Sequence, residues 1–481
     1  MAGPASSGEQ ELAHGTLGTA HIVFMVMAAI APAAGAVGLL PLAIGLGDGV
    51  GTPGSVLLVG VILLVFAVGF TRMVPLIRNA GAFYAYVRKG MGPVGGLVAA
   101  FIALASYIGI SAAVVGAFSF FAKVTFVDLF GIDLAWPVWA VLCVVGVLAL
   151  AYFRVTLAAG VLTALFLAEF AAVLVLDIAV LVKEGPGNFT GLGVFDPSNV
   201  FVSGTIGVAL IYGFSFFQGF EGTAIYAEEA KDPARTVPRA TYLAIGGITV
   251  WYIVTSWALL VGAGGEDAPG RALADPGAFV YALSDSYVGH TWTDLLKILI
   301  VTSMFAGVLA FHNASTRYMF SLARDGFLPS ALARVHPTQK SPTVANGVSA
   351  GLVLLVSLSY AVAGLDPLTS LSTSLTGFGA VGVLVLITAT SLSVAAYFLR
   401  QGKRTVTHVL LPVIGTAGVG TGLYFSLANY SVITGTTDAL INNLPWVHVV
   451  IALVVIAMCL HVRRTDPRRW VRASGADAPD G

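Results

Sequence analysis

Apolar residues run along this chain in long, nearly unbroken stretches, separated by short polar punctuation. Twelve such stretches can be read, at about 19–46, 54–74, 94–121, 135–152, 157–182, 200–227, 238–263, 291–322, 343–363, 369–399, 405–427 and 444–462. A helix crossing a hydrocarbon core about 30 Å thick needs about 20 apolar residues. Membrane strands would instead give alternating segments of about ten residues. The pattern therefore predicts an all-α polytopic membrane protein with twelve transmembrane helices.

Composition strengthens this reading. Of 481 residues, 57% are hydrophobic and 10% charged, against about 25% charged in soluble domains, and the mean hydropathy is +0.90. Net charge is zero, so no global field points to nucleic acid or to an acidic partner. With both termini cytoplasmic, 20 of the 24 Lys and Arg residues fall inside and only Lys123, Lys183, Arg271 and Lys297 outside, as the positive-inside rule requires. The residues before the first stretch carry Glu9 and Glu11 and no basic region, so no cleavable signal is expected. Cys143 and Cys459 lie in apolar stretches without metal-ligand spacing and read as packed thiols. No metal or cofactor is expected.

Two stretches carry interruptions. The first, "MAAIAPAAGAVGLLPLAIG" at 27–45, holds Pro32, Gly35 and Gly38; the sixth holds Gly213, Gly219 and Gly222. Disrupted helices are tolerated in lipid only where they are buried in protein or line a cavity. The two stretches occupy equivalent places in two halves of five helices, and paired interruptions of this kind point to a transporter site at the bilayer midplane. Free N–H groups near Ala34, Gly35 and Ala36 would suit a carboxylate. Free carbonyls near Phe214, Ser215 and Gln218 would suit an ammonium. Ala33, Phe216, Gly219 and, from helix 3, Tyr107 complete the expected substrate site, although Tyr107 and Ser111 also read as packing residues.

Four segments then resemble the amino acid–polyamine–organocation (APC) family of permeases: "GFEGTAIYAEEAKDPARTVPRA" from Gly219, "NAGAFYAYVRKGMGP" at 79–93 read as the loop after helix 2, "ASTRYMFSLARDGFLPSALARVHP" at 314–337, and "LLP" at 39–41. The resemblance implies two inverted five-helix repeats (19–182 and 200–399) with helices 1 and 6 broken, two further helices (405–463), cytoplasmic ends at 1–18 and 464–481, and alternating access without covalent chemistry. There are departures. The family's Gly-x-Gly reads Ala34-Gly35-Ala36, the aromatic gate position is Ser215 with Phe214, Phe216 and Phe217 nearby, and helix 5 has no Lys before Lys183 at its outer end.

Ionisable residues at bilayer depth suggest function by default. Glu221 reads either as a proton-linked or gating carboxylate or as a structural acceptor, and Glu169 either as a satisfied interhelix hydrogen bond or as the second coupling candidate. Asp177 reads as a vestibule or interface residue and His312 as a packing histidine. Thr302, Ser303, Ser315 and Thr316 are candidates for a sodium site. In the turn after helix 6, Glu228 and Glu229 mark the cytoplasmic face, Pro233 ends helix 6, and Pro238 is expected in the first turn of helix 7. In the outer loop 264–290, "DPGAFVYALSDSY" reads either as a short helix with Asp275 capping and Pro276 in its first turn or as a solvated loop. The reading is a secondary active transporter of the inner membrane, not an enzyme. It carries a neutral amino acid with proton coupling or exchange, sodium remaining possible as the coupling ion. The alternatives are a polyamine or cationic amino acid carrier and, from another class, a multi-pass membrane enzyme, for which no convergent catalytic constellation is visible.

Overall fold

The computed structural model describes residues 17–77, 82–153, 159–202, 205–225, 227, 230–336, 341–467 and 470. Arg78, Arg154, Glu228, Glu229, Lys340, Arg468, Arg469 and Arg472 lie outside them. The described chain is helical throughout, with one isolated bridge between Leu17 and Ala230. Nine of its helices are long and apolar enough to cross a membrane. The fourth and sixth stretches give the shorter apolar helices Trp136–Tyr152 and Ile206–Ser215, and the fifth gives Ala159–Thr190. Helices are numbered below by the stretch they occupy. Val182, Val362 and Leu440 are at least three-quarters exposed, a cost in water but the natural state of a lipid-facing side chain.

Several boundaries differ from the sequence reading. Residues 79–93 are not simply a loop: a helix starts at Ala82 and runs to Phe130, broken only at Gly92 (φ +86°), ahead of Pro93. Helix 7 starts at Pro233, which takes the first helical position because it needs no donor there, so Pro238 lies inside the helix and not in its first turn. In the outer loop the short helix spans Phe279–Tyr287. Asp275 accepts from the Ala278 N–H at 3.0 Å, and Pro276 sits in the preceding turn rather than in the helix.

Helices 1 and 6 lie side by side and antiparallel. At one end Lys231 N–H donates to the Leu17 carbonyl at 2.9 Å. Midway, Gly219 faces Ile30, and Gly222 faces Val26. At the other end Gly47 abuts Ala209, and the buried Asp48 accepts from Thr205 at 2.9 Å and from Ser55 of helix 2 at 2.5 Å. This carboxylate, which the sequence reading did not single out, ties the end of helix 1 to the starts of helices 2 and 6.

Helix 10 (Thr373–Arg400) packs along helix 3 because glycines remove side chains from the seam. Gly109 faces the Phe378 ring, Gly379 faces Ile110, and Gly382 faces Ser106 and the His448 imidazole of helix 12. Small residues are the means by which membrane helices approach closely. A Gly382→Val variant is expected to lose about 1–3 kcal/mol by overpacking, seen as a lower melting temperature in detergent. Gly347→Ala, with no neighbour within 4 Å of the added carbon, should not lower it.

Candidate functional site

Helix 1 is built in three pieces, Thr19–Ile30, Pro32–Gly38 and Leu40–Leu46. The break falls on Ala31, whose φ of 50° and ψ of 61° make it the one non-glycine residue with positive φ among the described residues. The residue before a proline is normally pushed to extended backbone; here it turns left-handed instead, at a cost of roughly 1–2 kcal/mol. Ala31 N–H still reaches the Met27 carbonyl and Gly35 N–H already reaches Ala31, both at 3.1 Å. The donors freed by the break are therefore those of Ala33 and Ala34, in the first turn after Pro32. The sequence reading placed them near Ala34, Gly35 and Ala36. Gly35 is engaged, and Ala36 lies a full turn into the new segment.

Helix 6 stops at Ser215 and resumes only at Gly222, with Gly219 at φ +109° between. The intervening bonds tighten by one residue: Phe217 N–H reaches Phe214 and Gln218 N–H reaches Ser215, both at 3.2 Å. The Phe214 and Ser215 carbonyls thus each carry one short-range bond. Those of Gly213, Phe216 and Gln218 receive no backbone donor among the described residues. The Ser215 hydroxyl is spent on Ile211, at 2.7 Å. Among the expected substrate residues only Gly35 and Gly219 are partly exposed, the others being buried.

Helix 7 braces the helix 1 break with two residues the sequence reading missed. Trp251 Nε1 donates to the Pro32 carbonyl at 3.4 Å. Tyr252 stacks on Phe216 with centroids 4.2 Å apart and sets its hydroxyl against Gly35. The adjacent aromatics in "TVWYIV" were the available signal.

Glu221 is buried, with both oxygens engaged. The Tyr107 hydroxyl donates to one at 2.7 Å, and Gly219 N–H to the other at 3.0 Å. No ion pair among the described residues involves it. Tyr107 is thus the carboxylate's donor from helix 3. Phe220 packs edge-on against Phe66 at 6.1 Å and Phe83 at 6.4 Å, which anchors the break in an aromatic cluster. Glu169 stands apart in helix 5, buried with its Oε2 unpartnered, while Asp177 accepts from Thr255 of helix 7 at 2.8 Å. The expected sodium hydroxyls do not converge. Thr302 and Ser315 bond the backbone of their own helix at 2.8 and 2.9 Å, Ser303 lies against the Glu169 carboxyl of helix 5, and Thr316 has no hydrogen-bond partner among the described residues. His312 is buried with its Nε2 unpartnered, and both cysteines are buried and free.

A helical membrane bundle whose two interrupted helices meet at one level has the build of a solute carrier. The chain belongs to the amino acid permease family, whose sequence profile matches residues 21–473. Over 395 residues it is 26% identical to the low-affinity putrescine importer PlaP of Escherichia coli, a match covering 79% of this chain and 82% of that one. It is 29% identical over 256 residues to the branched-chain amino acid permease BcaP of Bacillus subtilis, covering 52% and 48% of the two chains. Its fold is similar to that of the Eremococcus coleocola manganese transporter solved with an aromatic bis-isothiourea substituted compound, with a TM-score of 0.56 at 13% identity, covering 97% and 99% of the chains. The protein is a multi-pass membrane transporter and not an enzyme.

The Gly35–Tyr252 contact sets a test of the break itself. A methyl group at residue 35 would meet the Tyr252 hydroxyl, so Gly35→Ala is expected to destabilise by about 1–3 kcal/mol. Tyr252→Phe in the same chain should recover most of that loss. Thermal unfolding of the two single variants and the double variant gives the coupling directly.

Proposed function

We propose that this chain is a secondary active transporter that carries an amino acid by alternating access. It lies in the cell (inner) membrane as twelve spans in two inverted five-helix repeats plus two helices, with both termini cytoplasmic. Its substrate occupies the cleft between the two breaks: the carboxylate on the Ala33 and Ala34 N–H groups, the ammonium among the carbonyls of helix 6. One observation carries this reading. The start of the Pro32–Gly38 segment and the end of Ile206–Ser215 converge on one level, where Gly219 faces Ile30. A helix N-terminus favours negative charge and a helix C-terminus positive charge, so together they complement a zwitterion.

The adjoining charged side chain, Glu221, already holds two donors, which favours a neutral amino acid and leaves Glu221 as the coupling or gating group. Glu169, buried with a free oxygen, is the second candidate for that role. The similarity to a putrescine importer favours a second reading, in which Glu221 attracts one end of a diamine. Transport in proteoliposomes against a panel of neutral and cationic amino acids and polyamines, with sodium and pH gradients imposed separately, decides between them. The neutral reading expects competition by neutral amino acids and none by putrescine.

Glu221→Gln gives a second test. It keeps an acceptor for one of the two donors and cannot release a proton. If Glu221 carries the coupling proton, the variant should show transport independent of pH where that of the parent varies. A profile matching the parent would leave the residue as a structural tie between helices 3 and 6.

A further inference from the structure

Helices 2 and 11 meet at one face of the bundle. Gly69, near the end of helix 2 (Thr52–Met73), abuts Pro412, near the start of helix 11 (Val406–Ala428). Arg72 follows Gly69 by three residues and His408 precedes Pro412 by four, so each side chain stands about one turn beyond that contact. Arg72 and Lys403, from the connection between helices 10 and 11, both lie within electrostatic reach of the His408 imidazole. That connection is short and fixed. Gly402, at φ +73°, ends helix 10, and Lys403 N–H turns back to the Phe398 carbonyl at 3.0 Å. His408 Nδ1 is held by the Thr405 hydroxyl at 2.5 Å and its ring packs edge-on against Phe398, centroids 4.4 Å apart. Its Nε2 has no hydrogen-bond partner among the described residues.

The cations here are uncompensated. No Asp or Glu occurs from residue 49 to 127 or from 367 to 437, which takes in helices 2, 10 and 11 and the segment from Ala82. Arg72, Lys403 and Arg404 are exposed and enter no ion pair among the described residues. Arg400 differs, because its guanidinium donates to the Gly90 carbonyl at 3.0 Å. Other helix ends assigned to this side balance their charge, with Arg235 on Asp232 and Arg324 on Asp325.

Beside the charges the surface is apolar. Leu410, Val413 and Ile414 form an exposed stripe on helix 11, with Val406 at its start and Leu76 just past helix 2. A cationic cluster at the rim of an apolar surface complements a phosphodiester carried on two acyl chains. Free phosphate would leave the apolar stripe unused. Each Lys or Arg at a membrane surface strengthens binding of anionic lipid about fivefold.

We propose that Arg72, Lys403, Arg404 and His408 form a binding site for the headgroup of an anionic diacyl phospholipid, whose chains lie along Leu410, Val413 and Ile414. The site stands apart from the substrate cleft and does not depend on which solute is carried.

The test titrates a fluorescently labelled phosphatidylglycerol onto the full chain in neutral detergent and follows its anisotropy. Unlabelled phosphatidylglycerol, phosphatidylcholine and inorganic phosphate then serve as competitors. Saturable binding, displaced by unlabelled phosphatidylglycerol and by neither of the others, is expected. Arg72→Gln with Lys403→Gln should weaken it about 25-fold, and Arg72→Lys should keep most of the affinity. Arg463→Gln with Arg464→Gln removes two exposed charges from the last turn of helix 12 and should change little. An equal loss there would mean a diffuse field over the whole basic face, and would overturn the site. So would displacement by phosphatidylcholine, displacement by inorganic phosphate at the same concentration, or unchanged affinity in the Arg72 and Lys403 double variant. Unfolding temperatures in the same detergent separate lost binding from lost fold. If the double variant unfolds early, Arg404→Gln alone carries the test, with an expected loss of about fivefold.

Discussion

Everything in this molecule turns on the demand that backbone donors and acceptors find partners in a solvent that offers none. A helix meets that demand by itself, which is why most of the chain is helical. Two places decline to do so, at Ala31 and between Phe216 and Glu221. Each exposes the carbonyls and amides that a continuous helix would have used, and lipid cannot cover them. The antiparallel pairing of helices 1 and 6 sets the two breaks against each other, and helix 7 covers one side with Trp251 on the Pro32 carbonyl. The same polar groups that make the breaks costly to fold are the ones the proposed substrate would engage.

Glu221 shows how one side chain serves both ends. By accepting from Gly219 it occupies an amide that the turn would otherwise leave bare, and by accepting from Tyr107 it fastens helix 6 to helix 3. A hydrogen bond to a charged group contributes about 1.5–3 kcal/mol, enough to bias the arrangement of a local break. A change in the carboxyl's charge would alter both bonds together. The local backbone of helix 6 and its contact with helix 3 are thus tied together through one residue.

The glycines divide into two kinds that the sequence does not distinguish. Gly219, at φ +109°, is needed for its backbone conformation. Gly35 sits in ordinary helix and is needed for space, because Tyr252 fills the place its side chain would take. Both read alike as interruptions in an apolar stretch. Gly382, which the sequence reading did not single out, proves to be a point of close approach between helices 3, 10 and 12.

Hydrophobic run length determined the helical membrane class, because spanning about 30 Å of hydrocarbon without unpaired backbone admits few solutions. Pro32 and the helix 6 glycines marked which spans are interrupted, because proline lacks a donor and glycine tolerates left-handed backbone. The residue on which each break falls was not legible. Ala31 carries the left-handed turn though its own type disfavours it, since the cost is met by packing around it. The helix from Ala82 was not legible either, and the contacts of Asp48, Trp251 and Tyr252 were equally hidden, as each depends on a neighbour scores of residues away in the chain. Local sequence sets what the backbone can do at each point; which amide is left free, and what faces it, was decided only when helices 1, 6 and 7 came together.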